Sequence, residues 1–454
     1  MTLPEEFTTY TRALFGEELW KRFAAGMQEE PPVSVRLNPY KFDTAGMALP
    51  APDDGGVEWC SLGRYLARRP VFTLDPLLHA GAYYVQEAAS MYAASLMERF
   101  APKGRPLLVL DLCAAPGGKS TLLRSLLPEG SLLFSNEPVK PRANILTENI
   151  QKFGHPDVVV TNSYAADYRR SGLKFDIILA DVPCSGEGMF RKDEGAIAEW
   201  TAGGVMKCAR LQRDIITDIM PCLREGGLLI YSTCTFNRHE DEENTDFITA
   251  TWQMEKLDER HFIPGDTRTE GLYMAAIAQP GYDPAEERAP LMGTTLKGGK
   301  KQKKGGKTSQ PVPGAKTMSG WIDNAEDFDI LTLGSRTVAV RKQWRSIFDT
   351  ALQNLRIMHA GIELGELKGK DIIPSECLAL STQLRMDAFP RVELDSETAV
   401  SYLRRDPILL PADTPRGFVA VTYLGLPLGF VKNLGNRCNN LFPQEWRIRM
   451  KNIE

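Results

Sequence analysis

The sequence predicts an α/β protein whose middle third forms a doubly wound, Rossmann-like sheet. Between residues 105 and 280, apolar runs of strand length alternate with segments whose apolar residues recur at helical spacing. A glycine-rich turn, Cys113 to Ser120, joins the first apolar run to the first helical segment. A regular alternation of this kind with a glycine-rich first turn is typical of doubly wound α/β domains.

The strands and helices of this region can be assigned in chain order. Strands are predicted at Pro106–Cys113, Leu132–Asn136, Val158–Thr161, Phe175–Ala180 and Gly227–Ser232, and helices at Lys119–Leu127, Pro141–Phe153 and Val205–Leu223. Pro141 suits the first turn of its helix because the missing N–H would have no partner there. The last helix carries an apolar stripe that includes Cys208, Leu211 and Ile216, which we assign to the core.

The rest of the chain predicts further domains. Residues 1–100 are expected to form an α+β extension, residues 101–285 the Rossmann-like core, and residues 286–320, rich in glycine and lysine, a linker that cannot bury a core. Apolar patterning resumes after Trp321, and we expect an α+β subdomain at 321–390 and another module at 391–454. The linker lysines could also follow a phosphate backbone.

Composition predicts a soluble protein. Of the 454 residues, 43% are hydrophobic and 25% charged. No apolar run reaches the ~20 residues needed to span a bilayer. The first 18 residues lack a basic segment followed by an apolar core, so we expect no secretory signal and a cytoplasmic location. The net charge of −4 means that any surface for nucleic acid must be local.

Metal binding is not predicted by the spacing of the candidate ligands. The eight cysteines include no C-x-x-C pair, and the five histidines include no H-x-x-x-H pair. In a cytoplasmic protein we expect the thiols to stay reduced and available for chemistry.

The glycine-rich turn predicts a site for a nucleoside. A P-loop would need a glycine where Cys113 stands, and the G-x-G-x-x-G pattern of NAD sites is absent. The arrangement of S-adenosylmethionine enzymes remains, in which a carboxylate ending the second strand accepts the ribose hydroxyls. Glu137, about 20 residues beyond the glycines, stands at that position, although a solvated carboxylate at a helix start is the alternative.

Two lone cysteines follow neighbouring strands of the predicted sheet. Cys184 lies three residues after Asp181, and Cys234 lies between two threonines. Ligands bind at the carboxyl ends of such strands, so we expect all three side chains to face one crevice. Thiolate attack at carbon 6 of a cytosine makes carbon 5 nucleophilic, a carboxyl group at nitrogen 3 offsets the developing charge, and a second group handles the proton. Asp181, Cys184 and Cys234 supply this set, with Lys119 as the candidate for activating the nucleophile.

These segments resemble the motifs of the Nop2/Sun-type RNA (cytosine-5) methyltransferases. The similar segments are D-L-C-A-A-P-G-G-K-S at 111–120, S-N-E at 135–137, D-V-P-C-S-G-E-G-M-F-R-K at 181–192, S-T-C-T-F at 232–236, P-x-S-x-R-x-N at 32–38 and Y-V-Q-E at 84–87. Segments 361–366, 425–432 and 439–443 are similar to the bacterial small-subunit rRNA branch, which ends in a PUA-like RNA-binding module.

The resemblance implies a monomeric, metal-free S-adenosyl-L-methionine-dependent enzyme that forms 5-methylcytosine in rRNA, with 16S rRNA as the expected substrate. It implies that Cys234 is the nucleophile, that Cys184 assists product release and that Asp181 contacts the base. It implies RNA binding by the N-terminal extension and by the PUA-like module at 391–454. The implied cofactor contacts are Cys113, Ala114, Ala115, Pro116, Gly117, Gly118, Lys119, Glu137, Arg142, Asn162 and Asp181.

Three points stay open at this stage. DNA cytosine methyltransferases use the cysteine of the Pro-Cys motif as nucleophile, which would exchange the two roles. A carboxylate that usually lies near the adenine is replaced around Tyr164, so Asn162 or the Tyr164 ring is expected there, with Asp167 less well placed. A non-catalytic RNA-binding factor and a P-loop NTPase using Lys119 are the competing functions.

Basic residues that could contact RNA phosphates are spread along the chain. They are Arg36, Arg191, Lys192, Arg404, Arg405, Arg447, Arg449 and the lysines of the linker. The target cytosine must be unpaired or flipped out to reach two thiols, which favours loops or partly assembled rRNA.

Overall fold

The computed structural model describes residues 2–285, 312–369 and 371–450. Of the predicted linker at 286–320, residues 286–311 lie outside the described residues, and with them the run of lysines. The end of the predicted linker is a short helix, Ala315–Ser319, whose Met318 is fully buried. Among the described residues, no helix is both long enough and apolar enough to cross a membrane.

The N-terminal part combines helices with a small antiparallel sheet. Its elements are α1 Glu5–Gly26, β1 Val33–Leu37, β2 Asp53–Val57, β3 Cys60–Leu66, α2 Pro76–His79, β4 Tyr83–Val85 and α3 Ala93–Phe100. The strands pair in the order β2-β3-β1-β4. Strand β4 leads into residues that reach the central crevice.

The central part is the doubly wound core. Its elements are β5 Leu108–Asp111, α4 Gly118–Leu126, β6 Leu132–Asn136, α5 Lys140–Phe153, β7 Val158–Thr161, α6 Ala165–Ser171, β8 Phe175–Asp181, α7 Glu194–Glu199, α8 Ala202–Ile219, β9 Leu223–Thr233, α9 Glu242–Trp252, β10 Glu255–Phe262 and β11 Leu272–Ala278. Strands β5 to β9 are parallel and almost entirely buried, as expected for a sheet covered on both faces.

The core sheet runs in the order β10-β11-β9-β8-β5-β6-β7. The chain order reverses between β5 and β8, which makes their carboxyl ends the switch point where such sheets bind ligands. Asp111 ends β5 and Asp181 ends β8, so both carboxyl groups stand at this point.

The strand and helix predictions hold with small shifts. Strand β9 begins at Leu223 instead of Gly227, and α8 spans Ala202–Ile219. The predicted stripe on α8 is wrong at Leu211, which is 46% exposed, whereas Gln212 is fully buried. The reason is that the Gln212 amide hydrogen-bonds loops at the end of the sheet, so that a polar residue occupies the inward face.

The C-terminal part contributes to the core and adds two more sheets. Its elements are α10 Ala315–Ser319, β12 Phe328–Leu333, β13 Arg336–Arg341, α11 Arg345–Asn354, β14 Ile357–Ala360, β15 Ile362–Lys368, β16 Asp371–Pro374, α12 Glu376–Leu380, β17 Arg391–Glu393, α13 Ser396–Arg404, β18 Gly417–Tyr423, β19 Leu426–Asn433 and β20 Cys438–Asn440. The two sheets run β12-β13-β15-β16 and β17-β18-β19-β20. Strand β14 pairs antiparallel with β7 and becomes the last strand of the core sheet. The predicted domain boundaries stay a prediction.

Candidate active site

Two thiols meet where β8 and β9 end. The strands are parallel neighbours, with Asp181 opposite Ser232, so the loops that follow them leave from the same edge. The Sγ atoms of Cys184 and Cys234 lie 2.9 Å apart. The hydrogen bond with Cys234 and burial raise the pKa of Cys184 well above its ordinary value, so Cys184 keeps its proton and can donate it to the other sulfur.

The two thiol loops also brace each other. The Gly188 N–H donates to the Cys234 carbonyl at 2.8 Å, and the Glu187 carboxylate accepts from the Phe236 N–H at 2.9 Å. A Cβ on Gly188 would lie 2.3 Å from the Gly271 carbonyl oxygen, so only glycine allows this approach. These contacts tie the Cys184 loop to the Cys234 loop.

A cavity of about 580 Å³ lies beside the thiols at the switch point. This volume is in the range of small-molecule sites. Its lining includes Tyr84, Val85, Gln86, Glu87, Ser90, Asp111, Cys113, Ala114, Ala115, Pro116, Gly118, Lys119, Arg142, Asp181, Val182, Pro183, Cys184, Met189, Lys192, Cys234, Glu270, Gly271 and Leu272. The structure thus brings the glycine-rich turn, Asp181 and both cysteines to one cavity. Three predicted cofactor contacts, Gly117, Glu137 and Asn162, are outside this lining. Gly117 has a φ of 117°, a backbone conformation that favours glycine.

Glu137 nevertheless has the chemistry expected of a ribose contact. It is 1% exposed, and its Oε1 accepts from the Val139 N–H at 2.9 Å. Its Oε2 has no hydrogen-bond partner among the described residues. Arg142, which lines the cavity, places Nη2 3.5 Å from this oxygen and 3.2 Å from the Ala115 carbonyl oxygen. A buried carboxylate oxygen without a donor fits a ligand that brings hydroxyl groups.

Asp111 is a site residue that the sequence interpretation missed. It is fully buried and lines the cavity; its Oδ2 accepts from the Ser120 hydroxyl at 2.6 Å. Its Oδ1 finds no partner in residues 2–285, 312–369 and 371–450. Burial raises the pKa of Asp111 to about 7. The sequence feature that could have identified Asp111 is its position as the last residue of β5, directly before the glycine-rich turn.

Lys119 and Asp181 form an ion pair on the cavity wall, with Nζ 2.9 Å from Oδ2. Burial would lower the pKa of Lys119, but the Asp181 carboxylate outweighs burial, so the pKa is raised. Cys234 is also among the groups whose charge raises the pKa of Lys119. Lys119 is therefore a fixed cation close to Cys234.

Comparison with known families places most of the chain. The model described as 16S rRNA methyltransferase RsmB/F matches residues 100–278, that of the N-terminal domain of 16S rRNA methyltransferase RsmF matches residues 3–88, and that of the methyltransferase RsmF PUA domain matches residues 389–448. A protein of Enterobacter sp. (strain 638) described as ribosomal RNA small subunit methyltransferase F is 30% identical, over 97% of this chain and 95% of the relative. The chain belongs to the ribosomal RNA small subunit methyltransferase F family.

A second relative of this family comes from Vibrio parahaemolyticus; it is 29% identical over 99% of this chain and 98% of its own length. Among solved structures, NSun6 from Pyrococcus horikoshii with SFG has a TM-score of 0.52 and 20% identity, over 61% of this chain and 98% of that one. A methyltransferase homolog protein from Pyrococcus horikoshii has a TM-score of 0.50 and 24% identity, over 61% and 100%. The predicted family, the Rossmann-like methyltransferase core, the PUA-like module and the use of S-adenosyl-L-methionine are confirmed.

The residues around Tyr164, where the adenine contact is expected, lie outside the cavity lining, and the contact stays a prediction. The Asn162 amide donates to the Glu137 and Pro138 carbonyl oxygens, both at 2.8 Å, and thereby fixes the strand end that carries Glu137. Tyr164 is 69% exposed, and Asp167 accepts from the Tyr164 N–H. In the structure, Asn162 therefore supports the backbone at Glu137 and Pro138 and is not part of the cavity lining.

The predicted phosphate contact at Arg36 is wrong. Arg36 is 1% exposed and donates to Gln86 Oε1 at 2.7 Å and to the Thr121 hydroxyl, joining the N-terminal sheet to helix α4. The side chain of Arg191 is 5% exposed and pairs with Glu270 at 3.0 Å. Both guanidinium groups are surrounded by hydrogen-bond acceptors of the protein itself, so they link parts of the fold.

The remaining predicted basic contacts differ in exposure. Arg405 donates to the Asn440 and Phe442 carbonyl oxygens, and Arg404 is half-buried. Lys192, Arg447 and Arg449 are exposed. Of these, Lys192 also lines the cavity beside the thiols.

One group of side chains in the described part of the chain could hold a metal ion. Ligand atoms of Asp241, Glu242 and His261 lie within 4.8 Å of one another. The group stands behind the Cys234 loop and outside the cavity lining. Motif spacing gave no sign of it, and the expectation of a metal-free enzyme stays a prediction.

Proposed function

We propose that the protein transfers a methyl group from S-adenosyl-L-methionine to carbon 5 of a cytosine in 16S rRNA. The observation that carries this proposal is the pair of thiols, 2.9 Å apart, on the wall of a cavity that also holds the glycine-rich turn and the Lys119–Asp181 ion pair. The names of the relatives and the family models support 16S rRNA as the substrate.

In the proposed reaction Cys234 is the nucleophile. Its sulfur, as the thiolate, forms a bond to carbon 6 of the cytosine, and the electron pair of the ring double bond moves toward nitrogen 3, which leaves carbon 5 nucleophilic. Asp181 is placed to offset charge at nitrogen 3. Bound S-adenosyl-L-methionine supplies the methyl group as an electrophilic sulfonium. A base then takes the carbon 5 proton, the bond between sulfur and carbon 6 breaks, and Cys234 leaves as the thiolate.

The surroundings of the two sulfurs support this division of roles. Cys184 keeps its proton, since burial and the hydrogen bond with Cys234 raise its pKa. Its S–H can stabilise the sulfur of Cys234 when that sulfur leaves carbon 6. Lys119 is the cation that would stabilise negative charge on Cys234 before attack.

The target cytosine must leave its helix or come from an unpaired stretch to reach these sulfurs. An open groove of about 1080 Å³ shares Lys192 with the cavity and contains Arg68, Arg69 and Arg268. Arg68 and Arg69 are exposed, and we propose that RNA flanking the target lies along this groove. Glu29 and Glu30 also line the groove.

Labelled methyl transfer tests the proposal. Purified protein, radiolabelled S-adenosyl-L-methionine and small ribosomal subunits from a strain that lacks the enzyme should give labelled 5-methylcytosine, which bisulfite sequencing would locate. Cys234→Ser should abolish transfer, and Cys184→Ser should accumulate a covalent protein–RNA adduct. Cys438→Ser, a thiol in the last sheet, is the matched control and should behave as the unmodified protein.

Two results would overturn parts of the proposal. An active Cys234→Ser together with an inactive Cys184→Ser would exchange the two roles. Absence of label in naked 16S rRNA and in small subunits would favour a non-catalytic RNA-binding factor.

A further inference from the structure

We propose that two consecutive acidic residues, Glu240 and Asp241, are positioning residues that each fix one of the two thiol loops. Asp241 holds the Cys234 loop in place for attack on the base, and Glu240 holds the Cys184 loop in place for product release. This inference rests on the proposed function, because it assigns the two carboxyl groups to separate steps of that reaction.

Asp241 binds both residues that flank Cys234. Its Oδ1 accepts from the Thr235 hydroxyl at 2.8 Å and from the Thr233 hydroxyl at 2.5 Å. Asp241 and both threonines are fully buried. The side chains before and after the reacting sulfur are therefore tied to one oxygen atom, which fixes the direction in which the loop presents Cys234.

The Glu240 side chain binds the backbone of the Cys184 loop. Its Oε2 accepts from the Ser185 N–H at 3.0 Å and from the Gln212 amide at 2.6 Å. The same Gln212 amide donates to the Pro183 carbonyl oxygen at 2.9 Å. The peptide groups on both sides of Cys184 are thus held by Glu240 and its partner Gln212.

A shared turn joins the two carboxyl groups. The Glu240 N–H donates to Asn237 Oδ1 at 2.9 Å, and its carbonyl accepts from the Tyr231 hydroxyl at 2.7 Å. Both acidic residues are fully buried. Because the sulfurs are only 2.9 Å apart and must serve one base, an error of about 1 Å in either loop would be costly for the reaction.

The two sites differ in what they demand of the carboxyl group. All the groups that bind the Glu240 carboxylate are hydrogen-bond donors. Besides the Ser185 N–H and the Gln212 amide, Asn237 Nδ2 donates to Oε1 at 2.8 Å. A glutamine would place an NH₂ group against one of these donors. Among the described residues, Asp241 accepts hydrogen bonds only at Oδ1; its Oδ2 has no hydrogen-bond partner, and His261 Nδ1 lies 3.9 Å from it. An asparagine keeps one carbonyl oxygen that can accept from both threonine hydroxyls, so it should replace Asp241 in this contact.

The two steps can be measured separately with purified full-length protein and rRNA. RNA transcribed with 5-fluorocytidine lacks the removable proton at carbon 5, so in the presence of S-adenosyl-L-methionine the reaction stops at the methylated adduct. The rate at which this adduct accumulates reports attack and methyl transfer without release. Ordinary RNA reports release, because a slow release leaves adduct that survives denaturing electrophoresis.

Asp241→Ala should slow adduct formation on the fluorinated RNA by about 100-fold, and Asp241→Asn should stay within about 5-fold of the unmodified protein. Thr235→Val removes a hydroxyl from the same contact and tests it if Asp241→Ala fails to fold. Glu240→Gln should form adduct within about 5-fold of the normal rate but accumulate it on ordinary RNA, as Cys184→Ser does. Glu243→Gln, a neighbouring exposed carboxylate, is the matched control.

Equal losses in both steps for Asp241→Ala and Glu240→Gln would overturn the inference and show that the carboxyl groups only stabilise the fold. An Asp241→Asn variant as slow as Asp241→Ala would overturn the acceptor role. If the unmodified protein forms no adduct with fluorinated RNA, the proposed function itself fails. If it forms adduct and the variants match it, only this inference fails.

Discussion

The Sγ atoms of Cys184 and Cys234 lie 2.9 Å apart although 50 positions separate the two residues in the chain. Neighbouring parallel strands, β8 and β9, deliver them to one edge of the sheet. A covalent mechanism that uses both sulfurs on one base requires this proximity. A structure with the two thiols on different faces of the core would have been incompatible with it.

Oxidation should link the two thiols. With hydrogen peroxide as the oxidant, Cys184 and Cys234 should lose one hydrogen atom each and form a disulfide, which removes the nucleophile and stops methyl transfer. Intact mass should fall by two hydrogen atoms, and dithiothreitol should restore mass and activity. Cys184→Ser has no partner for this bond and should not show the mass change. An inactive oxidised protein without that bond would contradict the prediction.

Loss of the Glu137 carboxylate should weaken cofactor binding. Glu137→Gln replaces an acceptor oxygen by a donor at the proposed ribose contact, so affinity for S-adenosyl-L-methionine should fall by at least about tenfold. Calorimetry with the full-length protein measures this directly. Glu148→Gln, at a carboxylate on helix α5 that pairs with Lys152, is the control. An affinity within twofold of the unmodified value would remove Glu137 from the site.

The Lys119–Asp181 pair should matter for attack more than for folding. Lys119→Met removes the cation beside Cys234 and should slow adduct formation by about 100-fold. The melting temperature reports any separate structural loss. Lys140→Met, an exposed lysine at the start of α5, is the control. Unchanged adduct formation would show that Cys234 is activated by another group.

Stability should fall with rising pH because of Asp111. Burial raises the pKa of Asp111 to about 7 in the folded protein, whereas the unfolded carboxyl group ionises near 4. The folded state therefore binds the extra proton between these values, and its free energy of unfolding should decrease over that window by on the order of 4 kcal/mol, then level off. Urea unfolding of the cofactor-free protein at a series of pH values measures this. Asp111→Asn should remove the contribution of this group and make the decrease smaller; an identical pH profile for the variant would refute the assignment.

The groove beside the cavity should bind RNA electrostatically. In a protein with both Arg68→Ala and Arg69→Ala, the KM for RNA should rise by about tenfold, while kcat stays unchanged. The slope of log affinity against log salt concentration should fall by the amount expected for the loss of about two phosphate contacts. Filter binding at several salt concentrations measures the slope. Arg169→Ala, an arginine outside the groove that pairs with Asp218, is the control. An unchanged salt slope would place the RNA elsewhere.

The core of the fold and the meeting of the thiols were predictable because they depend on local patterns. Buried parallel strands are apolar throughout, and residues that follow adjacent strands share an edge. Glu137 was predicted in the same way, from its place directly after β6. These inferences needed only the order and length of the apolar runs.

Other features depend on contacts between distant segments. Arg36 lies in a basic strand that resembles an RNA contact, but Gln86 and Thr121 enclose its guanidinium group. Glu240 and Asp241 look like surface charges in an acidic run, yet both are fully buried. Sequence spacing does not show which acceptor a buried donor will meet, so these parts had to come from the structure.

Strand β14 gives the core sheet a last strand that the chain supplies only after residue 311. Its hydrogen bonds to β7 cover an edge that would otherwise be open to pairing with another molecule. Trp344 and Phe348, from the same C-terminal part, are buried in the core cluster that contains Val159. A protease cut between residues 285 and 312 should therefore leave two fragments that copurify, and a fragment ending at 285 made alone should self-associate through the uncovered edge.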